Sequence, residues 1–329
     1  MTNDCAKMGR QLLNVLLVCA LSAVATVANA QAYPSKPIRL VLGYAAGGVA
    51  DITARLIAQK LSVSLGQQVI VDNKPSAGGI VAAETVAKAE PDGYTLLHMN
   101  YGNAVSAAVF HKLPYDIKRD FQPISAMGFF DVGMLTDKGS EIRSVQDLIA
   151  RAKATPEKYN IGTVSVGSGQ HMAAVLFNST VGIRSTIVPY KTTPSLLLAL
   201  KSGDIAVAFE ILSPALPLIR SGELRLLAVS SANRFPGLPD VPTMLETGVK
   251  GYDVTAWNGV AAPANTPRPI VDRLNQEINA ALALPDVQKK FHELGIDPRG
   301  GSPEELRTIL GAEIEKWKNL VSLMNIERL

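Results

Sequence analysis

From residue 38 onward, short apolar runs alternate with stretches of helical periodicity, and this alternation leaves few folds open. Strands are expected at 38–43, 68–72 and 93–99, separated by helices at 51–65 and 80–89. A second series follows, with helices at 145–154, 170–180, 194–201 and 215–221 between strands at 159–163, 186–189, 205–209 and 225–229. Strands this short and this apolar are buried on both faces, which implies an α/β fold with mostly parallel sheets flanked by helices. Three helices close the chain at 267–282, 285–294 and 303–324. Pro267, Pro285 and Pro303 each stand in a first turn, where the missing N–H costs nothing.

Between the two series lie extended apolar runs at 123–129 and 132–135, interrupted by Gly128 and Gly133. A further run at 252–262 contains Trp257 and is closed by Pro263. These runs read as crossings between two lobes. Lobe 1 is expected at 31–130 plus 253–329 and lobe 2 at 131–252, with hinge crossings near 121–135 and 252–262. Two αβ lobes joined in this way form a hinged clamshell that closes on a ligand.

Residues 1–30 read as a secretory signal peptide. Lys7 and Arg10 precede an apolar run at 12–27, and Ala28-Asn29-Ala30 supplies small residues for cleavage after Ala30. The run is short for a membrane span, and no basic stop-transfer cluster follows it. Both cysteines, Cys5 and Cys19, lie in this segment, so disulfides and thiolate chemistry are excluded from what remains. The formal charge of +3 falls to +2 without Asp4, Lys7 and Arg10, which makes no case for a nucleic-acid partner. A soluble protein exported to the periplasm is expected.

In open α/β sheets a ligand lies beyond the carboxyl ends of the strands, which singles out the junctions 44–51, 100–103, 163–171 and 209–213. In LVLGYAAGGVADITARL (40–56) an apolar strand runs through Tyr44, Ala46, Gly47 and Gly48 straight into a helix. The first N–H groups of that helix have no intrahelical partner, and the positive end of the helix dipole lies behind them, so the junction favours a carboxylate or phosphate. A third glycine or a lysine followed by serine or threonine, as nucleotide motifs need, is missing. Asp51 stands in the first turn, where it orders the loop rather than touching an anion it would repel. Around the second junction, the hydroxyls of Thr163, Ser165 and Ser168 and the free amides near Gly167 and His171 suit a carboxylate. Asn100 and Tyr101 stand at the end of the third strand; Tyr101, Tyr190 and Trp257 are candidates for a flat apolar wall, with core packing as the alternative for each. Glu210 either faces the cleft, favouring an amine or a protonated acid, or pairs with Lys191.

In order along the chain, YPSKPIRLVLGYAAGG, NKPSAGG, AEPDGYTLL, KLPYD, VPYK and LPDVPTMLETG closely resemble the receptors of the tripartite tricarboxylate transporters, the Bug-type extracytoplasmic solute-binding proteins. The likeness runs from residue 33 to the last helix. It implies a type II-like periplasmic-binding-protein clamshell that holds a small carboxylated solute without altering it, using loops 44–51 and 163–171, and passes it to a membrane permease. A monomer that works without a cofactor is expected. The chain departs from the family pattern at Ala46, where proline is usual, at Ala50, Ser165 and Gln170, and at Glu210, where aspartate is common.

Two other readings stand beside this one. Ser168 and His171 resemble a nucleophile beside its base and would serve an exported serine hydrolase; no G-x-S-x-G elbow surrounds the serine. A sensor that presents its closed form to a signalling partner would share fold and ligand. Metal binding is not expected, since His98, His111, His171 and His292 are scattered without ligand spacing.

Overall fold

The computed structural model describes residues 33–164, 166, 168–323 and 328, so the signal segment lies outside the described residues. From Lys36 the chain forms one compact unit. It begins with β1 (Ile38–Leu42), α1 (Val49–Leu65), β2 (Val69–Asn73), α2 (Ile80–Ala87), β3 (Thr95–Asn100) and α3 (Tyr101–Val109). The strand β4 (Phe121–Asp137) then crosses to α4 (Val145–Ala154), β5 (Ile161–Val164), α5 (Gly169–Val181), β6 (Ile187–Tyr190), α6 (Thr193–Ser202), β7 (Val207–Ile211), α7 (Leu212–Arg220) and β8 (Leu224–Val229). The chain returns through β9 (Thr255–Pro263) to α8 (Arg268–Leu282), α9 (Pro285–Glu293), the two-residue β10 (Ile296–Asp297) and α10 (Pro303–Leu323).

The strand order is β2-β1-β3-β9-β4-β7-β5-β6, with β8 and β10 also on β4. β1 is parallel to β2 and β3, and β5 is parallel to β6 and β7, as strand–helix alternation requires. The crossing strands β4 and β9 run antiparallel to their neighbours, so the sheet is mixed. The runs 123–129 and 132–135 are one strand of 17 residues. Gly128 and Gly133 do not break it; they admit close neighbours, since a Cβ at Gly128 would meet Ile296 at 2.6 Å and one at Gly133 would meet Leu212 and Leu226 at 2.6 Å.

β4 changes partners at one point. Its pairing with β9 ends at Asp131 with Thr255, and its pairing with β7 begins at Val132 with Ile211. Ser230, fully buried, fastens the three chain segments that meet there. Its N–H donates to the Val132 carbonyl at 2.9 Å, its hydroxyl donates to the Val254 carbonyl at 2.5 Å, and its own carbonyl and Oγ accept from Val254 N and Val132 N at 2.9 and 3.2 Å. One sheet face is covered by a continuous core that includes Met99, Trp257 and Trp317 together with Phe177, Phe209 and Tyr252. A second core, around Leu196, Leu212 and Leu226, belongs to the second αβ series alone. Trp257 is therefore a core residue, 1% exposed.

Candidate functional site

The loop between β1 and α1 is open to solvent from Tyr44 to Gly48. Gly47 has φ +86°, a conformation costly for a residue with a Cβ. Gly48 is the N-cap of α1 and offers no side chain to the first-turn N–H groups. Nothing else crowds the position: a Cβ at Gly47 would meet no atom within 4 Å, and one at Gly48 only the Ala45 carbonyl at 3.8 Å.

Asp51 fixes the shape of this loop. Its carboxylate, 3% exposed, accepts from Gly47 N at 2.9 Å, from Arg55 Nε at 2.9 Å and from Asn73 Nδ2 at 2.9 Å. Burial pushes the carboxyl up, but these hydrogen bonds and the Arg55 charge outweigh it and hold the group at about 2. Asn73 also donates to the Tyr44 carbonyl at 3.0 Å, and Arg55 Nη2 donates to Asn73 Oδ1 at 2.9 Å. Asp51 thus organises the loop as expected; Arg55 and Asn73, in the middle of a helix and at a strand end, carried no sequence signal for that role.

At the next junction the helix start is occupied by its own chain. Asn100 caps α3, its Oδ1 accepting from Gly102 N at 2.8 Å and from Tyr44 Oη at 3.0 Å, while Asn103 Oδ1 accepts from Asn100 N at 2.9 Å. Tyr44 is thereby tied to α3 and remains 41% exposed. Tyr101, 4% exposed, turns to the other series: its ring lies over the start of α5, where a Cβ at Gly169 would fall 1.7 Å from it, and its hydroxyl donates to Gln170 Oε1 at 3.1 Å.

Ser168 is the N-cap of α5. Its Oγ accepts from His171 N at 3.1 Å, and its hydroxyl donates to the Val164 carbonyl, so the hydroxyl hydrogen serves the loop rather than an imidazole. His171 is half-buried, and burial pushes its imidazole below the usual range. Thr163 is fully buried, with no hydrogen-bond partner for its hydroxyl among the described residues. Ser165 and Gly167 lie outside the described residues; Val166 between them is 56% exposed.

Glu210, 1% exposed, does not bond to Lys191 among the described residues. Its Oε1 accepts from Gln170 Nε2 at 2.9 Å and Ile211 N at 2.8 Å, and its Oε2 from Thr193 Oγ1 at 2.7 Å. Burial pushes the carboxyl up, and these three donors pull against it. A buried chain therefore runs from Tyr101 through Gln170 to Glu210 and Thr193, joining the first αβ series to the second. Gln170 and Thr193 were not among the candidate site residues; the departure at Gln170 was the only available signal. Tyr190 ends the edge strand β6, half-buried against the second core and apart from this chain. No cluster of three or more histidine, cysteine or acidic side chains arranged for a metal occurs among the described residues.

Two αβ lobes that share a crossing strand, with an uncapped helix start on one side and a serine-capped one on the other, define a solute-binding protein of the clamshell class. The sequence matches the family model "Tripartite tricarboxylate transporter family receptor" over residues 53–326. The chain belongs to that family, whose members are receptors, and the hydrolase reading is set aside. It is similar to the protein encoded in the tcbD-tcbE intergenic region of Pseudomonas sp. strain P51, 35% identical over 97% of this chain and 95% of the relative. BugT of Bordetella pertussis is 33% identical over 95% of this chain and 97% of its own length. Among solved structures, R. palustris Rpa4515 with adipate is 34% identical with a TM-score of 0.81, covering 90% of this chain and 100% of that one. MatC of Rhodopseudomonas palustris with bound malate is 32% identical with a TM-score of 0.77, covering 88% and 100%.

Proposed function

We propose that the protein captures a small carboxylated solute between its lobes and releases it, chemically unchanged, to a membrane permease. One observation carries the carboxylate: of the helices that begin at the four junctions, α3 and α5 are capped by Asn100 and Ser168, α7 starts without a side-chain cap but beside the Glu210 carboxylate, and α1 has only Gly48 at an exposed loop. An anion at such a start gains about 0.3–1 kcal/mol when exposed and up to about 2 when partly buried. The relatives solved with adipate and malate support the same ligand class. Candidate contacts are Tyr44, Ala46, Gly47 and Gly48 on one side and Thr163, Ser165, Gly167, Ser168 and His171 on the other. Asn100, Tyr101 and Glu210 shape the space between, and Asp51 holds the first loop.

The change of partners at Asp131–Val132 supports lobes of 31–130 with 253–329 and of 131–252, moving about the Ser230 junction. Export to the periplasm with cleavage after Ala30, and action as a monomer, complete the proposal. No helix among the described residues is long and apolar enough to cross a membrane.

The test is a thermal-shift screen over mono-, di- and tricarboxylates, followed by calorimetry on wild type and Gly48→Val. A ligand that binds only the folded state raises the melting temperature. Gly48 has φ −79° and ψ 170°, which valine adopts freely, so the variant should lose no more than about 1 kcal/mol of stability. Its new methyl groups would crowd the anion, and affinity should fall ~10-fold or more, a loss of about 1.4 kcal/mol. Undiminished affinity would sink the cradle; a screen with no carboxylate hit would sink the ligand class.

A further inference from the structure

The register of β3 on β9 brings together two buried polar side chains that the proposed site does not use. Asn258 stands directly across from Asn100, and His98 across from Val260, so all three side chains leave the same face of the sheet. Asn258 is 2% exposed and His98 1%. Neither His98 Nδ1, His98 Nε2 nor Asn258 Oδ1 has a hydrogen-bond partner among the described residues. Buried polar atoms are almost always paired, and leaving one unpaired is costly. Three such atoms on neighbouring residues leave hydrogen-bonding capacity that the described residues do not use.

The place adjoins the cradle. Asn100, one strand spacing of about 4.8 Å from Asn258, is the residue that accepts from Tyr44 of the first loop. His98 lies two residues, about 7 Å, further along β3 and away from the loop. Leu40 and Leu42 of β1 share its face, and this apolar setting drives the imidazole down to about 4 by burial, so it is neutral at pH 7. A neutral imidazole has one donor and one acceptor, and Asn258 Oδ1 can only accept. A second carboxylate, itself only an acceptor, leaves Asn258 Oδ1 unpaired. A hydroxyl can pair with it, donating to Asn258 Oδ1 while accepting from the His98 N–H.

We infer that Asn258 and His98 form a specificity subsite for a hydroxyl group, so that the preferred solute is a hydroxycarboxylate. This rests on the carboxylate reading of the α1 start. The experiment is calorimetry with matched pairs, malate against succinate and 3-hydroxybutyrate against butyrate, on wild type, Asn258→Leu and His98→Leu. Wild type should bind at least one hydroxylated member ~10-fold or more tightly than its partner. Asn258→Leu should bring that ratio to within about 2-fold while leaving the unsubstituted acid unchanged, and should raise the melting temperature of the ligand-free protein because it removes an unpaired buried atom. Equal affinities within both pairs in wild type, or an equal loss for both members in Asn258→Leu, would overturn the subsite. A lower ligand-free melting temperature in both variants would overturn it too, by showing that these side chains are paired within the fold. Binding of no carboxylate at all would instead overturn the reading beneath it.

Discussion

Asp131 gives the point where β4 exchanges β9 for β7 a measurable electrostatic signature, read through its replacement by asparagine. The side chain is 6% exposed at the point where β4 changes partners. Burial pushes its carboxyl up from 3.8 to about 6, with Asp253 and Asp297 adding to the shift and hydrogen bonds from Ser231 opposing it. The folded state therefore holds this proton more tightly than the unfolded chain. Stability from this group is fully present below pH ~4 and declines as pH rises to ~6 and beyond. A difference of about 2 pKa units at 1.36 kcal/mol each gives a loss of about 3 kcal/mol between pH 4 and pH 7. His98 works in the opposite direction: its imidazole falls from 6.5 to about 4, so its contribution is present above pH ~6.5 and is lost as pH falls. The wild-type profile alone would show the two nearly cancelling, and the comparison with Asp131→Asn isolates the first. Urea unfolding at pH 4, 5, 6 and 7 is the assay. Relative to wild type, the variant should gain about 3 kcal/mol on going from pH 4 to pH 7. Profiles that stay parallel within about 0.5 kcal/mol would refute the buried-carboxyl argument, as would a gain toward acid.

Two further substitutions probe the contacts between loops. Ser168→Ala removes the α5 cap and should cost about 1 kcal/mol by chemical denaturation, while leaving no hydrolytic activity to lose; esterase turnover that depended on Ser168 would revive the catalytic alternative. Gly169→Ala places a methyl group 1.7 Å from the Tyr101 ring and should displace it, breaking the bond to Gln170. The expected cost is about 1–3 kcal/mol, and a crystal structure with Tyr101 unmoved would count against the tight packing of α5 on α3.

Much of the frame was readable in advance because it depends on neighbours in sequence. The β1–Gly47–Gly48–α1 junction and the prolines that open α8, α9 and α10 are local patterns with local causes. Helix α3 gave no such reading: YGNAVSAAV is rich in small residues, and its helicity is set by the Asn100–Asn103 capping box and by burial in the core. Gly128 and Gly133 read as interruptions because glycine lowers strand propensity, whereas packing against Ile296, Leu212 and Leu226 is what selects it.

The sequence by itself determined that two αβ series would be joined by extended crossings and that the first helix would start at a glycine pair with no capping side chain. Periodicity and turn chemistry act over a few residues and are written in order along the chain. Only the tertiary structure decided that Glu210 would bond Gln170 and Thr193 in place of Lys191, that Tyr101 would reach across to α5, and that Asn258 would lie beside Asn100. Those partners stand from 17 to 158 residues apart, and the Asn100–Asn258 pair is set by a strand register that lays distant stretches of the chain side by side. Register is fixed by the burial of whole faces at once, a collective choice that no short stretch of sequence encodes.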